Sequence, residues 1–294
     1  MKILPLFLGL ALAAAPVRAQ VAAENLAPLP AAPKMATVTP FITGLKEAQG
    51  MAFDTDKNLL ICDYGAGEIL KFSPDGKALG KFAEGLKGPS AIQSIGRQVF
   101  ISERKANHVV RFQGGKMDVV MADVPEPIGL YVSPLIMSKF EDTPFDLAVV
   151  SHTTSKIYRL GLAKMFKNRE RTLLYAAPTQ VGESRYGFRW LVNDASTYLM
   201  SDEVGEKILM VNFAGRVSTF ASGISDPSGI AIGPDKMVYV ANEGDGGQLI
   251  RLNSEGEKTV VAEKLGRPRG ILFLDAKTAL VSNRDGGVWK VVLP

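Results

Sequence analysis

From Asp226 to Val261 the chain reads DPSGIAIGPDKMVYVANEGDGGQLIRLNSEGEKTVV: a turn, a short apolar run, Gly-Pro-Asp, a second apolar run, a Gly-rich stretch and a third apolar run. Glu47 to Phe82, EAQGMAFDTDKNLLICDYGAGEILKFSPDGKALGKF, has the same order. The runs are rich in Val, Ile, Tyr and Phe and are bounded by Gly, Pro, Asn or Asp, the pattern of short strands joined by tight turns. A further set of phrases recurs at wider spacing: TPFITGL, GKFAEGL, VVMADV, LLYAAP, STFASGI and VVAEKL. Superposed on Phe41, Phe82, Val120, Tyr175, Phe220 and Val261, they mark one outer strand per repeat, with three strands between successive anchors. Four strands in roughly 40–45 residues make one blade of a β-propeller.

The last repeat ends one strand short. After Val261 come RGILFL, ALVSN and VWKVVLP, and an unpartnered outer strand, ATVTPF (Ala36–Phe41), stands at the other end of the sequence. Laid beside Val288–Leu293 it completes a sixth blade and removes the sheet edges that an open ring would expose. The sequence therefore predicts an all-β, six-bladed β-propeller over residues 36–294, closed by pairing of its N-terminal strand with the last blade.

The stretches GMAFDTDKNLLICDYGAGEILKFSPDGK and PSGIAIGPDKMVYVANEGDGGQLIRLNSEG resemble NHL repeats. They also resemble the related gluconolactonase/regucalcin and strictosidine-synthase-like propellers. The resemblance runs from about Ala36 to Pro294 and implies the fold more strongly than any activity, because such folds host unrelated functions.

The first residues change the picture of where the protein works. Lys2, an apolar stretch from Ile3 to Ala15 and small residues at Val17 and Ala19 predict an export signal, residues 1–19, cut after Ala19. Residues 20–35 are Ala/Pro-rich and read as a loose leader. An exported protein, periplasmic or secreted, is expected, with no transmembrane segment in the mature chain. The net charge is +4, and Lys2 and Arg18 leave with the signal, so the mature balance is near neutral. No dense Lys/Arg cluster suggests nucleic acid. The single cysteine, Cys62, excludes an intrachain disulfide.

Aligning the repeats groups residues into rings at one mouth of the central channel. At the end of each second strand the alignment reads Cys62-Asp63, Ser102-Glu103, Ser151-His152, Ser201-Asp202, Ala241-Asn242 and Ser282-Asn283. The first member is always small and is read as packed near the axis, including Ser151 and Cys62. The second members form a polar ring whose carboxylates, amides and imidazole suit a divalent cation such as Ca²⁺, with Asp63, Glu103, His152, Asp202 and Asn242 as ligands. Asx-turns that cap backbone amides explain the same residues without an ion. His152 is the candidate general base, and His108 is read as a solvent-facing bystander.

At the start of each inner strand the alignment reads Gln49, Ser90, Ile128, Phe188, Ser228 and Arg269, each followed by one further residue of the strand. The resemblance implies a metal held there by an acidic residue in an Glu-Gly-Pro opening and by Asn or Asp in turns. None of these six is a carboxylate, and Arg269 would repel a cation, which argues against that lactonase chemistry in its familiar form. The irregular segment Ala177–Trp190 enters the fourth inner strand and is expected to bring Arg185, Tyr186, Arg189 and Trp190 to the mouth. Arg269, Asn283 and Arg284 are expected to join them in binding an organic or anionic ligand. Two functions follow: a binding propeller that takes a small molecule or protein at its mouth, or a metal-dependent hydrolase or lyase of the gluconolactonase-like type.

Overall fold

The computed structural model describes residues 34–134, 145–160, 171–176, 187–194, 197–212 and 214–294. The export signal and all but the last two residues of the leader lie outside the described residues, as do 135–144, 161–170 and 177–186, the last of these within the irregular segment Ala177–Trp190. The described chain forms six four-stranded antiparallel sheets. Blade 1 is β2 (Ala48–Phe53), β3 (Leu59–Asp63), β4 (Glu68–Phe72) and β5 (Ala78–Ala83). Blade 2 is β6 (Pro89–Ile95), β7 (Gln98–Glu103), β8 (His108–Gln113) and β9 (Lys116–Met121). Blade 3 is β10 (Pro127–Pro134), β11 (Phe145–Ser151), β12 (Lys156–Leu160) and β13 (Arg171–Ala176). Blade 4 is β14 (Phe188–Asp194), β15 (Thr197–Asp202), β16 (Lys207–Asn212) and β17 (Val217–Ser222). Blade 5 is β18 (Pro227–Ile232), β19 (Val238–Asn242), β20 (Gln248–Leu252) and β21 (Lys258–Glu263).

Blade 6 joins the two ends of the sequence. Its sheet runs β22 (Pro268–Phe273), β23 (Thr278–Asn283), β24 (Gly287–Val292) and then β1 (Thr37–Thr43). The latch has the predicted partners, from Thr37 opposite Val292 to Thr43 opposite Gly287, with a register shift between Pro40 and Ile42. Proline has no N–H to give a ladder, and here it sits at that irregularity. Ile42 is buried beside Leu280 and Val288, so the latch is held by packing as well as by its ladder. No helix among the described residues is long and apolar enough to cross a membrane.

Each inner strand packs on its neighbours, so that β2, β6, β10, β14, β18 and β22 close a circle. Between the blades lie buried aliphatic and aromatic side chains; the largest cluster spans blades 2 to 5 and includes Phe100, Phe188, Trp190 and Tyr198. At the far end of the channel, blades 1, 3 and 5 each pair an acid at the first hairpin or the start of the second strand with a base of the third strand. Lys71 meets Asp54 at 2.8 Å, Arg159 meets Asp146 at 2.5 Å and Arg251 meets Asp235 at 2.9 Å.

The inner circle is tight enough to dictate glycine. A Cβ on Gly50 would lie 2.8 Å from the Ser90 carbonyl oxygen of blade 2, and one on Gly129 would lie 2.6 Å from the Arg189 carbonyl oxygen of blade 4. Backbone cannot retreat from such a contact without moving a whole blade. Gly129→Ala is therefore expected to cost about 1–3 kcal/mol by overpacking, read as a lower urea midpoint at unchanged slope. A midpoint equal to that of the unmodified protein would show that the seams yield.

Candidate functional site

Five of the six inner strands begin with the same irregularity, a register shift between the first residue and the fourth, as between Ala48 and Met51 or Pro89 and Ile92, and in blade 3 the shift falls between Pro127 and Gly129. The shift frees the N–H of the third residue. In blades 2, 4 and 6 a serine of the second strand accepts it: Ala91 N–H to Ser102 Oγ at 2.9 Å, Trp190 N–H to Ser201 Oγ at 2.9 Å, and Gly270 N–H to Ser282 Oγ at 2.7 Å. All three hydroxyls donate onward across a seam, Ser102 to the Ile128 carbonyl at 3.5 Å, Ser201 to the Ser228 carbonyl and Ser282 to the Gln49 carbonyl. The small position is thus a hydrogen-bond relay in even blades and Cys62, Val150 and Ala241 in odd ones. Burial and the Asp63 charge push the Cys62 thiol well above its ordinary value, so it stays protonated.

Two places in the repeat alignment need correction. Phe188 pairs with Asp202 as Ala48 pairs with Asp63, so Arg189, not Phe188, shares the inner position with Gln49, Ser90, Ile128, Ser228 and Arg269. In blade 3, Ser151 pairs with Lys156 as Asp63 pairs with Glu68, so Ser151, not His152, belongs with Asp63. Counting back from the third strand, which keeps this hairpin length in four blades, carries the signal; matching serine to serine obscured it.

The ring of second members is therefore Asp63, Glu103, Ser151, Asp202, Asn242 and Asn283, and its side chains turn to their own entry loops. Asp63 accepts the N–H groups of Lys46, Glu47 and Ala66. Glu103 accepts Lys87 N–H at 2.7 Å and faces His108 Nε2 at 2.6 Å, so His108 is tied to the ring rather than a bystander. Asp202 accepts Gly205 N–H, Asn242 accepts Asp226 N–H, and Asn283 bonds the Leu265 carbonyl and Asp285 N–H. Burial holds the Asp202 carboxyl above its usual range. These groups brace loops, and among the described residues no three His, Cys, Asp or Glu side chains are placed to hold an ion.

The residues one step further form the true rim: Tyr64, Arg104, His152, Glu203, Glu243 and Arg284. Each donates its backbone N–H to the residue just before its blade's inner strand, from Tyr64 to Glu47 through Glu243 to Asp226 and Arg284 to Arg267. Their side chains, with those of the entry loops, bridge all six seams. Lys105 of blade 2 lies 4.7 Å from the Tyr64 ring of blade 1, and Arg104 meets Glu126 of blade 3 at 3.2 Å. His152 Nδ1 is 3.2 Å from the Phe188 carbonyl of blade 4. Arg189 meets Glu243 and Asp226 of blade 5, Arg269 of blade 6 meets Glu243, and Arg284 meets Glu47 of blade 1 at 3.0 Å.

The densest part of the rim joins blades 4, 5 and 6. Arg189 binds Glu203 at 2.7 Å, Glu243 at 2.5 Å and Asp226 at 3.4 Å, while Arg269 binds the same Glu243 Oε1 at 2.6 Å. Both arginines are buried, at 7 and 4 % exposure. Burial pushes the Glu243 carboxyl up to about 7 against the pull of Arg189. It pushes the His152 imidazole down, with the Arg104 charge acting the same way, so that ring is neutral near pH 7. Arg269 meets Glu243 and Ser228 Oγ through Nη1, and its buried Nε has no partner. A buried donor left unsatisfied costs about 1–3 kcal/mol.

Of the residues expected at the mouth, Arg189, Arg269, Arg284 and His152 are brought to the rim. Trp190 is not: it is 9 % exposed and packed in the inter-blade core, because adjacent strand residues face opposite ways. Asn283 serves the loop brace, and Arg185 and Tyr186 lie outside the described residues. Sequence reasoning missed Glu47, Glu203, Asp226 and Glu243, the acids that hold the arginines.

The sequence matches no known family model, and no curated protein matches it by sequence. Solved structures match it by shape. A gluconolactonase from Xanthomonas campestris superposes with a TM-score of 0.67 at 12 % identity, over 88 % of this chain and 90 % of that one. Virginiamycin B lyase from Staphylococcus aureus gives 0.63 at 16 % identity, over 88 % of this chain and all of the other. A chain of a nidogen/laminin complex gives 0.63 at 18 % identity, over 77 and 84 %. At such identities the likeness is one of fold: the chain is a six-bladed β-propeller with the architecture of the gluconolactonase-like and NHL-repeat proteins.

Proposed function

We propose that this protein is an exported binding propeller that holds a small ligand at the rim described above. The observation that carries the reading is the convergence of Arg189, Arg269, Arg284, Glu47, Glu203 and Asp226 from four blades on one mouth, with donors and acceptors interleaved. A rigid scaffold that presents a few fixed polar groups around a concavity is the usual form of a small-molecule site. A protein partner is the variant of this reading that a chain of the nidogen/laminin complex, of the same fold, illustrates.

Export rests on Lys2, the apolar run to Ala15 and the small residues at Val17 and Ala19. Protein recovered from the periplasm or medium is expected to begin at Gln20 by intact mass. Recovery of a chain there that still carries residues 1–19 would contradict cleavage.

The binding reading is tested by thermal shift against a small-metabolite library, comparing the unmodified protein with Glu203→Gln and Arg284→Gln. Both side chains are partly exposed, so the fold should survive. A ligand at about 100 times its Kd adds about 2.7 kcal/mol of stability, a shift of several degrees. Hits whose affinity falls at least about tenfold in either variant support the rim; hits indifferent to both place binding elsewhere.

A metal-dependent lactonase-like hydrolase or a lyase is the second reading, favoured by the fold of two neighbours and by Glu243, whose carboxyl is held near neutrality. A carboxyl with such a value can take a proton from a substrate at neutral pH. Its base form grows as pH rises, so activity on a lactone panel, with Ca²⁺ supplied, is expected to climb through about pH 7. Glu243→Gln is expected to lose about 10²–10⁴-fold and the inflection with it. Activity that survives Glu243→Gln with the same profile would remove this reading.

A further inference from the structure

Glu243 stands apart from the other rim residues in three ways. Its Oε1 is held by two buried guanidinium groups at once, Arg189 at 2.5 Å and Arg269 at 2.6 Å. It belongs to the longest of the six hairpins between second and third strands: Asn242 pairs with Gln248, whereas Asp63 pairs with Glu68 and Asn283 with Gly287. That hairpin reads Glu-Gly-Asp-Gly-Gly from Glu243 to Gly247, with Asp245, Gly246 and Gly247 all at positive φ. Glycine in such conformations carries no steric penalty and adopts others as readily, so this carboxylate rides on the most permissive backbone of the rim.

The arrangement also leaves something undone. With Glu243 in place, Arg269 meets it and Ser228 through Nη1, and its Nε is buried without a partner. A guanidinium offers parallel N–H groups along one edge that match the two oxygens of a carboxylate. Glu243 engages both arginines at Nη1 through a single oxygen and leaves the Nε of Arg269 without an acceptor.

We propose that Glu243 is an internal stand-in for the ligand: the mouth takes a small organic carboxylate, which displaces the Glu243 side chain from Arg269 and Arg189 and pairs with them in its place. This rests on the reading of the rim as a binding site and names the class of ligand. Above about pH 7, where Glu243 is ionised, exchange of one carboxylate for another leaves the charge at the arginines unchanged, so Glu203 and Asp226, both engaged with Arg189, oppose it no more than they oppose Glu243. The displaced Glu243 swings out on its Gly-rich turn to solvent. A ligand amide or hydroxyl would leave the two guanidinium groups without the charge they now have, so neutral analogues cannot drive the exchange.

The experiment titrates the full mature chain with acetate, pyruvate and succinate, with acetamide and glycerol as neutral controls and inorganic phosphate as a second anion. Binding is read by calorimetry and by the Nε–H resonances of Arg189 and Arg269. The carboxylates are expected to shift both resonances to saturation and the neutral controls to leave them still. Glu243→Gln removes the competing charge while keeping the shape, and should tighten carboxylate binding at least tenfold. Arg269→Lys, which keeps the charge and loses the fork, should weaken it at least tenfold. Should Glu243→Gln not fold, the resonances of the unmodified protein decide alone. Equal response to acetamide or glycerol, response to phosphate only, or carboxylate binding unaltered by Glu243→Gln would each overturn the proposal. A neutral ligand that binds in a Glu203- or Arg284-dependent way, while carboxylates fail, would overturn this inference and leave the rim as a binding site.

Discussion

Closure of the ring is the constraint from which the rest follows. β1 pairs with β24 over the full length of both strands, and in doing so supplies the fourth strand of blade 6 from the other end of the chain. Without it the last sheet would present an open edge, and nothing would hold blade 6 against blade 1. With it, six inner strands are forced into one circle. Their carbonyls come close enough to exclude a Cβ at Gly50, Gly129 and Gly270. The circle in turn brings residues as distant in sequence as Glu47 and Arg284 to within 3.0 Å.

The two ends of the channel use charge differently. At the far end an acid of the first hairpin meets a base of the third strand within the same blade, as in Asp54 with Lys71, which stabilises each sheet by itself. At the rim the pairs cross from blade to blade, apart from Arg189 with Glu203 within blade 4. Ion pairs of the first kind sit near water and contribute little individually. The side chains of Arg189, Arg269 and Glu243 are largely covered, where removal of one partner strands the others and breaking a pair costs about 3–5 kcal/mol. The same network therefore stiffens the ring and concentrates polar groups at a single mouth, which couples stability to whatever that mouth does. The unpartnered Nε of Arg269 and the Gly-rich turn that carries Glu243 are features of a site more than of a strut.

The repeat phase decided which residues were read correctly from sequence. The outer strands anchored on Phe41, Phe82, Val120, Tyr175, Phe220 and Val261 fall within the fourth strands of the blades, and the latch falls where the short last repeat required it. Those signals come from period-two apolar runs and turn residues, which are local. Phase errors of one residue arose where a tempting match replaced a count: serine with serine at Ser151, and Phe188 with Gln49 across an irregular entry segment. In a strand such a slip moves a side chain to the opposite face. It put Trp190 at the mouth when it belongs to the core, and put His152 among the loop braces when it belongs to the rim.

The sequence by itself determined the number of blades, their strand order and the way the ring shuts, because each blade is specified by contacts among neighbours in the chain and the missing strand has one place to go. It also marked Arg189, Arg269 and Arg284 as candidates. Only the tertiary structure decided what those arginines face. Glu243 contacts Arg189 and Arg269 because blades 4, 5 and 6 converge on one axis, and no local pattern encodes a distance between side chains contributed by three separate sheets. That Asp63 and Asn242 of the polar ring accept N–H groups of their own entry loops was decided in the same way, by the hydrogen bonds left open when the blades pack.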